Sequence, residues 1–293
     1  MKALVFDVGG TSIKYGRCEN GVLTNLNEIP TEAKRGGPHI LQRLISLIEK
    51  EQDFDAIGIS TAGQVNAQTG SIIYANSNIP NYTGMELRKE LSARFHVPVM
   101  VENDVNAAAI GEAAYGAGRD YDSFLCLTYG TGVGGAIVQD KAIFHGSSFS
   151  AGEFGGIVTH GSVNLAGSDV FDGCYERFAS TTALVQAAGR LDASLTNGRL
   201  IFERISETAV KKLVDTWIDE ILLGLSTLIH IFNPACIVLG GGIMAQPYIT
   251  EEINRRLPAH IMPSFAHVKI LPAQLGNSAG LLGIYYLCQS DTM

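Results

Sequence analysis

Hydrophobic and polar positions alternate along this chain with two distinct periods. KALVFDV at 2–8 is an almost unbroken apolar run, the pattern of a buried strand. SIKYGRC continues extended after a GGT turn, and ENG turns the chain again into VLTNLNEI. The chain therefore opens as an antiparallel meander. A helical period follows in HILQRLISLIEKEQ, with Ile40, Leu44, Ile45 and Ile48 on one face. AIGIS reads as a short buried strand, GMELRKELSARF as a helix and VPVMVEN as a strand. DVNAAAIGEAAYGAG then starts an alanine-rich helix where that strand ends.

The opening pattern recurs. SFLCLTYGTGVGGAIVQDKAIFHG is again strand, glycine turn, strand, polar turn, strand. Laid over the first meander, it puts Thr128 near Asp7 and GTG near GGT, so an internal repeat and two similar domains are predicted. Loops run to about residue 175. The clearest later helix is ETAVKKLVDTWIDEILLGLSTLIHIF, where Val210, Val214, Trp217, Ile221, Leu225, Leu228 and Phe232 recur at helical spacing. His230 within it reads as a core or boundary histidine. NP stops the helix, and ACIVLGGGI is a buried strand ending in glycines. TEEINRRL (helix), VKILPAQ (strand) and GNSAGLLGIYYLCQ (helix) close the chain, with Asn277 or Ser278 as the last cap.

Composition narrows the function classes. The 293 residues are enough for two cores, and 46% hydrophobic with 17% charged residues fits a globular protein. A net charge of −8 without a basic patch speaks against nucleic-acid binding. No apolar run approaches a membrane span. Five scattered cysteines without a CxxC pair, and a first strand in place of a signal peptide, predict a cytoplasmic protein.

Three glycine clusters end three strands: DVGGT at 7–11, GTGVGG at 130–135 and GGG at 240–242. Glycine lets backbone N–H groups approach phosphate oxygens, so the set suggests a nucleotide. GTGVGG satisfies GxGxxG, but the strand-like AIVQDKAIF follows where a Rossmann fingerprint needs a helix. No Gly-Lys dipeptide exists for a Walker A loop. Asp7 is either a turn aspartate or a carboxylate facing nucleotide-bound Mg²⁺ through water. Lys14 faces phosphate or is simply an exposed strand lysine. Asn103 and Asp104 sit at a strand end and helix start, where Asp104 is either an N-cap or a general base for a substrate hydroxyl.

The ordered set DVGGTSIKYG, STAGQVN, VENDVNAAAIGE, LTYGTGVGGAI, AGEFGG, GCYE, FNPACIVLGGGI and GNSAGLLGIYY resembles the ROK (repressor, ORF, kinase) family over nearly the whole chain. The resemblance implies an α/β fold of two ribonuclease-H-like domains, as in the actin/Hsp70/sugar-kinase superfamily, with ATP in an interdomain cleft. Expected boundaries are 1–113 plus 278–293 for one domain and 114–277 for the other. By the same resemblance, Asp7, Gly9, Gly10, Thr11 and Lys14 form the first phosphate loop, and Thr128, Gly130, Thr131 and Gly132 the second. Gly240, Gly241 and Gly242 lie near adenosine. Asp104 is the catalytic base, and Gly63, Asn78, Asn103, Asp104, Glu153 and Glu176 contact the sugar. ATP and Mg²⁺ are the implied cofactors, a small sugar the partner and a homodimer the assembly.

One stretch departs from the family. Many members read ExGH followed by CxCGxxGCxE, whose His and Cys residues bind a structural zinc. Here Gly156 replaces the histidine, and VNLAGSDVFD at 163–172 has no cysteine. Cys174 with His160 is too small a set for a closed tetrahedral site, so no structural zinc is expected. Zinc-free β-glucoside kinases share the AGEFG stretch. The resemblance therefore implies phosphorylation of the 6-hydroxyl of glucose or a β-glucoside, with N-acylmannosamine or fructose as alternatives. A sugar-sensing regulator without catalysis is the alternative from another class. Repressors of the family carry an N-terminal helix-turn-helix domain, whereas this acidic chain begins on its first strand.

Overall fold

The structure, a computed structural model, describes residues 1–161 and 171–290. The chain runs β1 (Lys2–Val8), β2 (Ser12–Glu19), β3 (Val22–Pro30), α1 (Gly37–Ile48), β4 (Ala56–Thr61), β5 (Gln64–Asn66), β6 (Ser71–Tyr74), α2 (Leu87–Phe95), β7 (Val99–Asn103) and α3 (Asp104–Tyr115). It continues with β8 (Phe124–Tyr129), β9 (Val133–Gln139), β10 (Ala142–Ile143), α4 (Glu176–Ala179), α5 (Thr181–Leu191), α6 (Gly198–Glu203), α7 (Thr208–Phe232), β11 (Cys236–Gly240), α8 (Pro247–Arg256), β12 (Lys269–Pro272) and α9 (Ala279–Ser290). Two compact units result. The first comprises Met1–Asp120, Lys141–Ala151 and Asn277–Met293, and the second Tyr121–Asp140 and Gly152–Gly276. This grouping differs from the boundaries expected from sequence at 114–120, 141–151 and Asn277.

In the first unit the strand order is β3-β2-β1-β4-β7. β1 is antiparallel to β2 and parallel to β4, and β4 is parallel to β7. Every residue of β4 is buried, as expected for a central strand covered on both faces. α1 turns Ile40, Leu44, Ile45 and Ile48 into this core, the face predicted from their spacing. α9 packs on α3 with almost no space between backbones. A β-carbon built on Gly283 would lie 1.7 Å from the Ala107 carbonyl oxygen, so no larger residue fits there. That close crossing also brings Gly280 against Ser60 and Asp7 at the ends of β4 and β1.

The second unit repeats the plan with strands in the order β9-β8-β11-β12. β8 is antiparallel to β9 and parallel to β11, and β11 is parallel to β12. Asp7 has Lys14 and Ser60 as register partners, and Thr128 has Gly134 and Gly240. The two residues hold the same place in two equivalent sheets, as the repeat predicted. α7 forms the spine of this core, and its Trp217 Nε1–H donates to the carbonyls of Ala179 (3.0 Å) and Ser180 (3.1 Å). The predicted apolar stripe on α7 holds as far as Leu228. Phe232 is 39% exposed at the helix end, with the Phe154 ring 5.8 Å away. His230 is an exposed boundary residue with Nδ1 on the Ser226 carbonyl (2.7 Å).

Candidate active site

In the first unit, Asp7 ends the apolar run of β1 and accepts a hydrogen bond from Ser60 Oγ at 2.9 Å. Burial pushes its carboxyl above the ordinary range, opposed by the Ser60 bond and the Lys14 charge. The Lys14 ammonium donates to Asn277 Oδ1 (3.2 Å), so this Asn277 side chain anchors the lysine. Gly9 closes the β1–β2 turn with its N–H on the Ser12 carbonyl (3.0 Å). Gly10 and Thr11 are exposed at the tip, and Thr31 braces the turn through the Gly9 and Thr11 carbonyls.

Asn103 and Asp104 stand where β7 becomes α3. The cap is Asn103, whose Oδ1 accepts from Val105 N (2.9 Å) and Asn106 N (3.1 Å); Asp104 is the first helical residue. Asn103 Nδ2 donates to the Gly63 carbonyl and to Asp104 Oδ1, each at 3.0 Å. Asp104 Oδ1 also accepts from Val105 N (2.9 Å). These two bonds fall on Oδ1, and Asp104 keeps part of its surface open to solvent. Its carboxyl is raised to about 7, first by desolvation and then by the charge of nearby Asp7, against the hydrogen bonds that favour the anion. Such a value suits a group that exchanges a proton near neutral pH.

The structure thus brings Asp7, Gly63, Asn103 and Asp104 into one neighbourhood. Asn78 lies in the exposed loop after β6, with its N–H on Asn76 Oδ1 (3.0 Å), and no described hydrogen bond joins it to Asn103 or Asp104.

In the second unit, β8 delivers Thr128 and the turn Gly130–Gly132, which closes through Gly130 N on the Gly132 carbonyl (3.0 Å). A cavity of about 370 Å³ is lined by Tyr129, Gly130, Thr131, Thr181, Thr182, Val185, Gln186, Gly242 and Ile243. It joins the second glycine turn, the first turns of α5 and Gly242 after β11, so Gly130, Thr131 and Gly242 meet there. Thr128, Gly132, Gly240 and Gly241 stand outside the lining. Gly241 has φ +105°, and a β-carbon on it would lie 2.2 Å from the Tyr129 carbonyl oxygen, so only glycine fits.

GEFGG and GCYE also come together in this unit. Val158 bridges to Cys174, Tyr175 N donates to the Ile157 carbonyl (2.8 Å), and the Cys174 thiol reaches the Gly156 carbonyl (3.2 Å). Glu176 heads α4 with its carboxylate against the glycine turn. A β-carbon on Gly132 would be 2.5 Å from Glu176 Oε2, and one on Gly155 3.0 Å. Glu153 is exposed just before the turn Phe154–Gly156. A β-carbon on Gly156 meets nothing within 4 Å among the described residues. His160 stacks on Phe178 at 3.7 Å and faces Glu220 at 3.4 Å. Most of VNLAGSDVFD, the stretch compared with the zinc cysteines, lies outside the described residues. Among those described, no three His, Cys, Asp or Glu residues are grouped to hold a metal.

Sequence reading missed Ser60, Glu102 and the cavity face of α5. Ser60 sits in a strand whose only visible signal is apolar. The α5 face did leave a trace, since Ser180 followed by TTALVQ is an N-cap pattern, and Ser180 Oγ accepts from Ala183 N (3.2 Å).

The sequence profile of the ROK family matches residues 4–291. A beta-glucoside kinase of Listeria innocua is 34% identical over 305 residues, covering 99% of each chain. Among solved structures, a Listeria monocytogenes protein described as a candidate N-acetylmannosamine kinase matches with TM-score 0.90 and 28% identity over 100% of both chains. A ROK family glucokinase from Streptomyces griseus, in complex with glucose and AMPPNP, matches with TM-score 0.84 and 27% identity over 99% of this chain and 100% of that one.

Proposed function

The chain belongs to the ROK family and is a sugar kinase that uses ATP, and from that premise we propose that it phosphorylates the 6-hydroxyl of glucose or of a β-glucoside with Asp104 as general base. The observation that carries the reading is the state of Asp104. Its carboxyl is poised near neutrality, one oxygen is held by Asn103 and Val105, and Asp7 stands close by. The sugar oxygen forms its bond to the γ-phosphorus as the bond to the β,γ-bridging oxygen breaks. The hydroxyl proton passes to Asp104 and ADP leaves.

The glycine turns after β1 and β8 are assigned to phosphate through backbone N–H groups other than those of Gly9 and Gly130, which close the turns themselves, and the cavity at Gly130, Thr181 and Gly242 is assigned to the nucleotide. Asp7 fits Mg²⁺ as a half-buried carboxylate with raised proton affinity and an oxygen neighbour, Ser60. A small protein ligand set suits an ion that keeps waters and phosphate oxygens. When bound, Mg²⁺ neutralises charge on the phosphates. Gly63, Asn78, Asn103, Glu153 and Glu176 are assigned to sugar hydroxyls, since amides and carboxylates each take two hydroxyls of a pyranose. We further assign the protein to the cytoplasm as a homodimer.

The β-glucoside preference is supported by the Listeria innocua relative and by the open space at Gly156. The match to a candidate N-acetylmannosamine kinase favours N-acylmannosamine as second reading. ADP release measured with cellobiose, gentiobiose, glucose, fructose and N-acetylmannosamine tests both. The expected order places a β-glucoside or glucose first; no turnover on cellobiose and gentiobiose overturns the β-glucoside preference, and no turnover on glucose as well overturns the substrate assignment.

A further inference from the structure

Glu102 is the penultimate residue of β7 and is 2% exposed. A carboxylate taken out of water needs partners for its charge. Its Oε1 accepts from Asn103 N (2.8 Å) and Asn106 Nδ2 (3.0 Å). Its Oε2 lies 2.7 Å from His145 Nε2, which donates to it when the carboxylate is ionised. Among the described residues no lysine or arginine pairs with Glu102, so His145 is the partner able to bring positive charge to it.

His145 belongs to the segment after β10, within the same unit as Glu102. That segment is folded back on itself by Ala151 N on the His145 carbonyl (3.1 Å), and the imidazole tilts against Phe149 at 5.8 Å. The imidazole is thus held at one end and bound to Glu102 at the other.

The bonds continue to the reacting group. Glu102 fixes the backbone of Asn103 and the side chain of Asn106. Asn103 Oδ1 then takes the N–H groups of Val105 and Asn106, and Asn103 Nδ2 spans the Gly63 carbonyl and Asp104 Oδ1. Asn106 is held at both its backbone and its side chain, and the turn carrying Asp104 lies between these fixed points. We propose that His145 and Glu102 form a positioning pair, which sets the orientation of the Asp104 carboxylate through Asn103 and Asn106. The inference rests on the reading of Asp104 as general base. Misplacement of a catalytic group by about 1 Å can cost on the order of 10²-fold in rate, so a partial loosening of this turn belongs in kcat.

The test is steady-state kinetics on the full chain with ATP and glucose, or cellobiose where it is the faster substrate. His145→Ala is expected to lower kcat about tenfold, with KM for ATP and sugar each within about twofold. His145→Gln, whose amide can still donate to Glu102, is expected to recover most of that loss. Circular dichroism melts establish that the variants are folded. If His145→Ala does not fold, His145→Gln against His145→Leu carries the test, because only the second loses the donor to Glu102. Unchanged kcat in His145→Ala, a loss carried by KM, equal loss in the Ala and Gln variants at 145, or equal rates in the substitute pair overturns the proposal. Asp104→Asn run alongside separates the two readings. Full turnover in Asp104→Asn removes the base assignment, whereas its loss together with a normal His145→Ala removes only the positioning pair.

Discussion

Asp7 and Thr128 occupy the same position in two sheets of the same strand order, yet their surroundings differ in kind. Asp7 has Lys14 and Ser60 beside it in register, and Asp104 close enough to feel its charge. Thr128 has Gly134 and Gly240. One copy of the repeat gathers half-buried ionisable groups, and the other removes side chains so that neighbouring strands approach closely. A shared topology fixes where strand ends point. The residues placed on those ends decide whether the position does proton and charge chemistry or close packing.

The comparison breaks most sharply at Asp104. Asp104→Asn is expected to lower kcat by about 10²–10⁴-fold in a coupled ADP assay, the usual span for loss of a general base. The same variant carries a stability signature. A carboxyl raised to about 7 in the fold contributes stability that is present below the unfolded value near 4 and lost as pH rises through 7. The amide avoids that loss, so Asp104→Asn should melt several degrees higher than the parent at pH 8 and by a smaller margin at pH 5. An equal margin at both pH values would remove the raised carboxyl.

The paired positions test the difference in kind. Asp7→Ala is expected to cost at least about tenfold more in kcat than Thr128→Ala, because it removes the carboxylate assigned to Mg²⁺. Matching losses would show the two copies to be chemically equivalent.

Gly241→Ala probes close approach in the second unit. A β-carbon 2.2 Å from a backbone carbonyl, at φ +105°, leaves no adjustment by a flexible side chain. A destabilisation of about 1–3 kcal/mol is expected, seen as a drop of about 2–12 °C in Tm. An unchanged Tm would show that the β11 turn can open.

The smallest effect is expected at Gly156→His. The added side chain meets no described neighbour at its first atom, so Tm should move by about 1 °C or less. The ratio of kcat/KM for cellobiose over glucose should fall by a few-fold, about 1 kcal/mol of discrimination. An unchanged ratio would dissociate Gly156 from sugar choice.

Much of this was legible in the residues. The stripe Ile40, Leu44, Ile45, Ile48 went inward because period 3.6 leaves one buried face. The Asp7–Thr128 equivalence followed from repeated glycine turns. The cap at α3 was not legible, since Asn and Asp side by side both cap well. Geometry gave the cap to Asn103 and left Asp104 at the first helical position. Phe232 broke its stripe because a helix end lacks neighbours that its periodicity implies.

The sequence by itself determined the local periods, the repeat, the glycine turns and the identity of the groups able to carry charge, because these depend on residues near one another in the chain. Tertiary structure alone decided what each charged group feels. His145 reaches Glu102 across 43 residues, Ser60 reaches Asp7 across 53, and the carboxyl of Asp104 rises because burial and Asp7 both act on it. Desolvation and through-space charge depend on distances that only the folded chain sets.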